Sequence, residues 1–191
     1  MLSKQLRKGQ WFFFLWGTVI RLYNRSMVSF YKYNPMKVEE SINSIRQAFS
    51  SRFPEFCLAY SFKTNSFPGI LSKARDMGLL AEVVSPEEFQ NAVKMGFCTR
   101  DILYNGVCKS RDQVALTIAA GGILNIDNQR DLDMVLEISG SSGVVPKVGV
   151  RLNFDVGNRI RSRFGIKADG PLYLRIVALD SEGRIAVNGL S

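Results

Sequence analysis

Residues 56–65 read Phe56-Cys57-Leu58-Ala59-Tyr60-Ser61-Phe62-Lys63-Thr64-Asn65, an apolar run that ends at a lysine. The run over residues 56–62 predicts a buried strand, and an unpaired ammonium group is costly to bury. Lys63 can therefore be interpreted in three ways. It forms an ion pair, it is an imine-forming lysine whose pKa is lowered by burial, or it stands where the strand has already reached solvent.

Predicted strands and helices alternate along the rest of the chain. Besides residues 56–62, short apolar strands are predicted at residues 79–84, 101–104, 122–126, 147–152 and 185–190. Helices are predicted at residues 70–77, 85–95, 110–120, 128–138 and within 171–179. Six strands that alternate with helices, at about 20–25 residues per unit, indicate a parallel α/β fold.

Two parallel architectures compete, an open doubly wound sheet and a (β/α)8 barrel. No G-x-G-x-x-G or Walker motif follows a strand, as an open nucleotide-binding sheet would require. Polar residues instead stand at or just after the carboxyl ends of strands: Lys63, Asn65, Glu82, Ser85, Asn105, Asp127, Arg151 and Asn153. A barrel builds its active site at those ends. The pattern favours an α/β fold of the TIM-like (β/α)8 type, incomplete, with about six of eight strands.

Six motifs resemble those of one enzyme family in order and spacing. They lie at residues 59–65 (Y-x-x-K-x-N), 81–85 (D-V-V-S in the family), 102–109, 125–128, 148–153 and 162–166 (S-K-F-G in the family). On these segments, the chain resembles the fold-type III PLP-dependent decarboxylases, a group related to the alanine racemase barrel. Diaminopimelate decarboxylase-like members are the most similar. The resemblance covers roughly residues 28–191 and implies a PLP-binding (β/α)8 barrel.

The resemblance implies roles for four residues. Lys63 would form the Schiff base with pyridoxal 5'-phosphate, and Asn65 would orient the loop that carries it. Glu82 would keep the imine protonated, although most family members have Asp at that position. Arg151 would bring its strand-end charge towards the cofactor. Purely structural salt bridges remain the alternative for Glu82 and Arg151.

The activity implied is PLP-dependent decarboxylation of an amino-acid substrate, most like that of diaminopimelate decarboxylase. A racemase-like or a non-catalytic PLP-binding relative is the alternative. The chain has no histidine, which excludes a Ser-His-Asp triad and His-ligated zinc within it, and no metal site is predicted. The family is homodimeric.

Several family features have no counterpart among the 191 residues. These are the ring-stacking histidine of the sixth strand, the Gly-rich phosphate loop, the acidic partner of the pyridine nitrogen and the C-terminal β domain. The resemblance therefore suggests a truncated chain that is weakly active or inactive alone. Six strands would also leave two open sheet edges.

Residues 1–25 lie outside the resemblance, and residues 26–191 form the predicted partial barrel domain. Residues 1–8 are basic and residues 11–20 apolar, which resembles the start of a signal peptide but is too short to span a bilayer. Membrane contact by residues 11–20, packing against the barrel, or a true start at Met27 are the alternatives. Residues 29–34 resemble the first strand of the family.

Charge and cysteine content bear on partners and location. The net charge is +8, and residues 1–40 hold seven basic and two acidic residues. Because the basic residues are scattered or terminal and no nucleic-acid-binding motif occurs, nucleic-acid binding is not predicted. Arg159, Arg161 and Arg163 form a second basic cluster, suited to an anionic cofactor or a carboxylated substrate. Cys57, Cys98 and Cys108 lack metal spacing and predict reduced, mostly buried thiols in a cytoplasmic protein.

Overall fold

A computed structural model of the protein describes residues 31–53, 56–153 and 162–190. The chain divides into two compact units, Met1–Pro54 and Glu55–Ser191. The predictions for residues 1–25, including the apolar stretch 11–20, lie outside the described residues. No helix in the described part of the chain is long and apolar enough to cross a membrane.

The first unit contains helix α1, Pro35–Ser50, which the sequence analysis did not predict. Asn34 caps it, because its Oδ1 accepts hydrogen bonds from the backbone N–H groups of Met36 and Lys37 at 3.1 and 3.3 Å. Proline at the first helical position supports the same start. Residues 31–34 have no regular structure. The prediction of a strand at residues 29–34 is therefore wrong for residues 31–34, the part that the structure describes. These residues lead directly into α1, and Asn34 caps it.

The second unit alternates strands and helices, as the sequence predicted. The elements are β1 (Ala59–Ser61), α2 (Pro68–Asp76), β2 (Leu80–Val83), α3 (Pro86–Lys94), β3 (Ile102–Tyr104), α4 (Arg111–Ala120), β4 (Ile123–Ile126), α5 (Gln129–Ser142), β5 (Lys147–Val150), β6 (Leu152–Asn153), β7 (Ile166–Lys167), α6 (Pro171–Ser181) and β8 (Ala186–Leu190), with a 3-10 turn at Thr99–Asp101.

Six of the strands form one sheet, in the order β1-β2-β3-β4-β5-β8. Every neighbouring pair is parallel, and the order follows the chain apart from β6 and β7. Sequential, all-parallel order with a helix between strands is the topology of a (β/α)8 barrel. The predicted α/β fold with six of eight barrel strands is confirmed.

The short parallel pair β6–β7 was not predicted. Leu152 pairs with Ile166 and Asn153 with Lys167, and the Ile166 N–H donates to the Arg151 carbonyl at 2.7 Å. Two residues are too few to show an alternating pattern in the sequence. The pair begins two residues after β5 ends, so it fixes the segment that directly follows Arg151.

Local signals explain where the helices begin and end. The Ser85 Oγ accepts from the Glu88 N–H at 3.2 Å, and the Asn128 Oδ1 accepts from the Asp131 N–H at 3.0 Å. Both are N-cap interactions. Helix α5 continues beyond the predicted residue 138 to Ser142, because the residue that stops it is Gly143, in the left-handed conformation at φ 69°.

The cysteine prediction is wrong about burial, because all three thiols are exposed. Cys57 precedes β1, Cys98 follows α3, and Cys108 lies in the loop between β3 and α4. The apolar run around Cys57 was interpreted as strand throughout. The strand itself begins only at Ala59, so Cys57 remains outside the sheet.

Candidate active site

Lys63 and Glu82 meet at the carboxyl ends of the first two strands. The Lys63 Nζ lies 3.8 Å from the Glu82 Oε1. The pairing of β1 with β2 places Ser61 opposite Glu82, so that the lysine, two residues further on, extends towards the same carboxylate. At this distance the ammonium and the carboxylate form an ion pair.

Lys63 is not buried, since its side chain is 49% exposed, whereas that of Glu82 is 12% exposed. The lysine stands two residues beyond the end of β1, in the turn where the Thr64 N–H donates to the Ser61 carbonyl at 3.2 Å. Of the three interpretations of Lys63, the structure combines the ion pair with the solvent-reaching strand end. The expected burial of the amine is wrong, because the strand is shorter than the apolar run.

Glu82 is held in place from the other side by Asn105, which follows β3. The Asn105 Nδ2 donates to the Glu82 Oε1 at 3.0 Å, and the Asn105 Oδ1 accepts from the Gly106 N–H at 2.9 Å. Gly106 has a φ of 86°, and a Cβ there would lie 2.1 Å from the Val84 carbonyl oxygen. The Asn105-Gly106 turn thus packs directly against the end of β2 and orients the carboxylate.

Asn65 organises the loop that carries Lys63. Its Oδ1 accepts from the Phe67 N–H at 2.9 Å, and its carbonyl accepts from the Tyr60 hydroxyl at 3.0 Å. Burial raises the pKa of Tyr60, although a hydrogen bond with Thr64 opposes this, so the phenol stays protonated and can donate at neutral pH. These two hydrogen bonds connect the loop after Lys63 to Tyr60 on one side and to Phe67 on the other.

A cleft of about 550 Å³ opens beside Lys63 and is bordered by Asn65, Glu87, Glu88 and Asn91. Its volume is in the range of small-molecule sites, about 300–1,000 Å³. Glu88 belongs to the capping interaction of α3 and accepts from the Val84 N–H at 2.9 Å. Burial raises the pKa of Glu88, the Val84 hydrogen bond lowers it, and the charge of Glu82 raises it further.

Glu88 was not predicted as a site residue, although its signal is present in the sequence. A serine followed three residues later by glutamate is a capping-box pattern, and it places that glutamate against the first turn of the helix. Here the first turn of α3 borders the lysine cleft. The pattern alone does not say that the cleft is there.

Arg151 is fixed by Asp127, which follows β4. The Arg151 Nη1 lies 3.1 Å from the Asp127 Oδ1, and the guanidinium lies over the Phe164 ring, 4.8 Å from its centroid. Asp127 is almost fully buried, whereas 34% of the Arg151 side chain is exposed. The ion pair considered as the structural alternative is present, and it leaves part of the guanidinium open to a ligand.

The structure also contains a buried ion pair that the sequence analysis missed. The Lys109 Nζ lies 2.7 Å from the Asp131 Oδ2, and the two side chains are 2% and 3% exposed. Lys109 follows the loop after β3, and Asp131 lies in the first turn of α5. The residues are 22 positions apart in the chain, so no local pattern joins them.

Comparison with known proteins identifies relatives for this arrangement. The family described as pyridoxal-dependent decarboxylase, pyridoxal binding domain, matches residues 37–190. The diaminopimelate decarboxylase of Bacteroides thetaiotaomicron is 28% identical over 67% of this chain and 33% of its own length. That of Aquifex aeolicus is 26% identical over 71% of this chain and 34% of its own length. The chain therefore spans about a third of the length of these curated relatives.

Solved structures share the fold at lower sequence identity. The diaminopimelate decarboxylase from M. jannaschii in co-complex with L-lysine superimposes with a TM-score of 0.71 at 22% identity, over 82% of this chain and 40% of that chain. The Paramecium bursaria Chlorella virus arginine decarboxylase has a TM-score of 0.59 at 17% identity, over 79% of this chain and 41% of that chain. At these identities, the likeness supports the fold.

Proposed function

Because this chain belongs to the pyridoxal-dependent decarboxylases, through the pyridoxal-binding domain that matches residues 37–190, we propose that it binds pyridoxal 5'-phosphate covalently through Lys63. We further propose that the activity it serves is decarboxylation of an amino acid, most like that of diaminopimelate decarboxylase. The observation that carries the proposal is the contact between the Lys63 Nζ and the Glu82 Oε1, which lie 3.8 Å apart at the carboxyl ends of β1 and β2.

The described residues fit the reactive end of this cofactor. An aldehyde needs an accessible amine, and half of the Lys63 side chain is exposed beside a cleft of about 550 Å³. The nitrogen of the resulting link carries positive charge when protonated, and Glu82 offers an opposite charge. When bound, the cofactor ring takes up the electron pair released as a bond to the substrate Cα breaks.

Other residues hold and orient Lys63, Glu82 and the bound groups. Asn105 donates to the Glu82 Oε1 and so keeps that carboxylate turned towards Lys63. Asn65 and Tyr60 hold the Lys63 turn through the hydroxyl-to-carbonyl hydrogen bond at 3.0 Å. Arg151, held by Asp127, presents a positive charge on a partly exposed side chain, which is suited to an anionic group of the cofactor or of a carboxylated substrate.

Covalent attachment is tested by mixing the purified protein with pyridoxal 5'-phosphate, reducing with borohydride and locating the added mass on peptides. We expect wild type to show the visible absorbance of a lysine-bound cofactor before reduction, and to carry the added mass on Lys63 after reduction. Lys63→Ala should lose both signals. Lys94→Ala, which removes an exposed lysine from α3, is the matched control and should retain both.

The proposal fails if wild type shows no visible band, or if Lys63→Ala and wild type are labelled equally. The substrate class is tested on protein that carries the cofactor, by measuring release of CO₂ from diaminopimelate, ornithine and arginine side by side. Preference for diaminopimelate is expected from the curated relatives.

A further inference from the structure

The ion pair between Lys109 and Asp131 is buried more completely than a stabilising role alone would explain. Both side chains are almost wholly removed from solvent, and their charged atoms lie 2.7 Å apart. Burying two charges costs desolvation energy that their mutual attraction only partly returns, and apolar replacements of both partners are often neutral or stabilising. The burial of this ion pair is better explained by the neighbouring groups that it holds in position.

Lys109 acts on the residues that hold Glu82. Its Nζ donates a second hydrogen bond, to the Gly106 carbonyl. Gly106 in turn donates its N–H to the Asn105 Oδ1 at 2.9 Å, and the Asn105 Nδ2 donates to the Glu82 Oε1. The Lys109 ammonium thus fixes the turn whose asparagine orients the carboxylate facing Lys63.

Asp131 acts on the residues that hold Arg151. The Asp131 Oδ2 that binds Lys109 also accepts from the Asp127 N–H at 3.1 Å. The Asp127 carboxylate, which is 5% exposed, accepts from the Arg151 Nη1 at 3.1 Å. One carboxylate oxygen therefore anchors both the ammonium of Lys109 and the backbone at the end of β4.

We propose that Lys109 and Asp131 form a brace that couples the two halves of the cofactor site. The brace joins the Asn105–Glu82 side, which faces Lys63, to the Asp127–Arg151 side. Both residues are positioning residues, because neither lies on the Lys63 cleft and each acts through a hydrogen-bonded neighbour. The inference rests on the proposed function in one respect only, namely that the positioned groups serve the cofactor.

The test uses a double variant that removes the brace without leaving one charge buried and unpaired. Lys109→Met combined with Asp131→Leu eliminates the hydrogen bonds to Gly106 and Asp127 and keeps the space filled. The matched control is Arg111→Met combined with Glu137→Gln. This pair joins the first residue of α4 to α5, at 2.7 Å, two residues along the chain from Lys109, but it is exposed at 53% and 67%.

Two readouts are measured on both double variants and on wild type. The first is the concentration of pyridoxal 5'-phosphate that half-saturates trapping on Lys63, which we expect to rise about tenfold without the brace and to stay unchanged in the control. The second is the amide hydrogen exchange rate of Gly106 and Asp127, which should also rise only in the brace variant. Thermal unfolding shows whether the brace variant is folded, and a modest lowering of its unfolding temperature is expected, because the Gly106 carbonyl and the Asp127 N–H lose their partners.

The outcomes separate the brace from the proposed function. Wild-type trapping and wild-type exchange rates in a folded brace variant would overturn the brace. Faster exchange at Gly106 and Asp127, in a chain whose wild type does not trap the cofactor, would support the brace and contradict the proposed function. Equal changes in the brace and control variants would show a general effect of removing an ion pair to α5, and would also overturn the proposal.

Discussion

At the scale of single residues, the site depends on carboxylates whose surroundings differ. Glu82 is nearly buried, close to Lys63 and hydrogen-bonded by Asn105. Glu88 borders the same lysine cleft but is tied to the backbone of Val84. The first is suited to stabilise a positive charge near Lys63. The second is a carboxyl whose neutral form is favoured by burial and by its acidic neighbour.

The raised pKa of Glu88 predicts a pH-dependent stability difference. A carboxyl whose pKa is higher in the folded state than its ordinary value near 4.5 stabilises the fold at low pH and loses that contribution as pH rises through the folded pKa. Glu82 and Lys63 face it from the strand ends, and Glu87 lies beside it on α3. Glu88→Gln should therefore gain stability relative to wild type between pH 4 and 7, by less than about 1 kcal/mol because the group is partly exposed.

Glu87→Gln is the control, with the opposite expected sign. Hydrogen bonds from its own backbone and from Ser85 lower the pKa of Glu87, so its contribution is present above the ordinary pKa and lost as pH falls. Urea unfolding of both variants and wild type at pH 4 and 7 gives the comparison. A difference for Glu88→Gln that falls as pH rises would contradict the assignment.

At the scale of elements, the contact between β4 and β5 depends on glycine at position 149, which has no side chain. Asn125 is opposite Gly149 in the parallel pairing, and a Cβ on Gly149 would lie 1.9 Å from the Asn125 Oδ1. Asn125 is buried. The strands can keep this register only while one of the two positions lacks a side chain or the amide moves away.

Gly149→Ala should lower the free energy of unfolding by about 1–3 kcal/mol, the usual cost of overpacking a core. Asn125→Ala combined with Gly149→Ala should recover most of that loss, because the clashing amide is gone. Gly140→Ala, in α5 where nothing lies within 4 Å of the added Cβ, is the control and should not destabilise. Urea unfolding of wild type, both single variants (Asn125→Ala and Gly149→Ala), the double variant and the control measures the coupling, and additive effects of the two changes would rule out the contact.

At the scale of the whole molecule, the main sheet has two edges in the part of the chain that the structure describes. Strand β1 is paired with β2, and β8 with β5, while the other side of each strand has no partner among the described residues. Leu190, on β8, is 60% exposed. An exposed apolar edge strand is a template for pairing with another chain.

For the 191-residue chain studied by itself, we predict association through the β8 edge. Leu190→Lys should lower the fraction of associated protein, since a charged side chain discourages edge-to-edge pairing. Leu174→Lys is the control, because Leu174 is 62% exposed but lies on helix α6 and not on a strand. Sedimentation velocity at increasing protein concentration distinguishes them. An equal reduction by both variants would point to general hydrophobic association instead.

Much of this architecture was predictable, because the signals are local. The alternation of apolar runs with capped, glycine-terminated helices gave all six strands of the main sheet and the helices between them. The family resemblance of the motifs proposed Lys63, Glu82, Asn65 and Arg151 as site residues, and these assignments stay predictions. The prediction of strand length was poorer. The apolar run over residues 56–62 contains a strand of three residues, and this moved Lys63 from a buried strand end into a half-exposed turn.

By itself, the sequence determined the fold class, the order of the elements and the residue types that stand at the carboxyl ends of the strands, because periodicity and capping act over a few residues. Only the tertiary structure decided which of those residues touch. The contacts of Glu82 with Lys63 and Asn105, of Asp127 with Arg151, and of Lys109 with Asp131 all join residues 19 or more positions apart. Such pairs are set by the parallel register of the strands and by burial, and no short-range pattern records them.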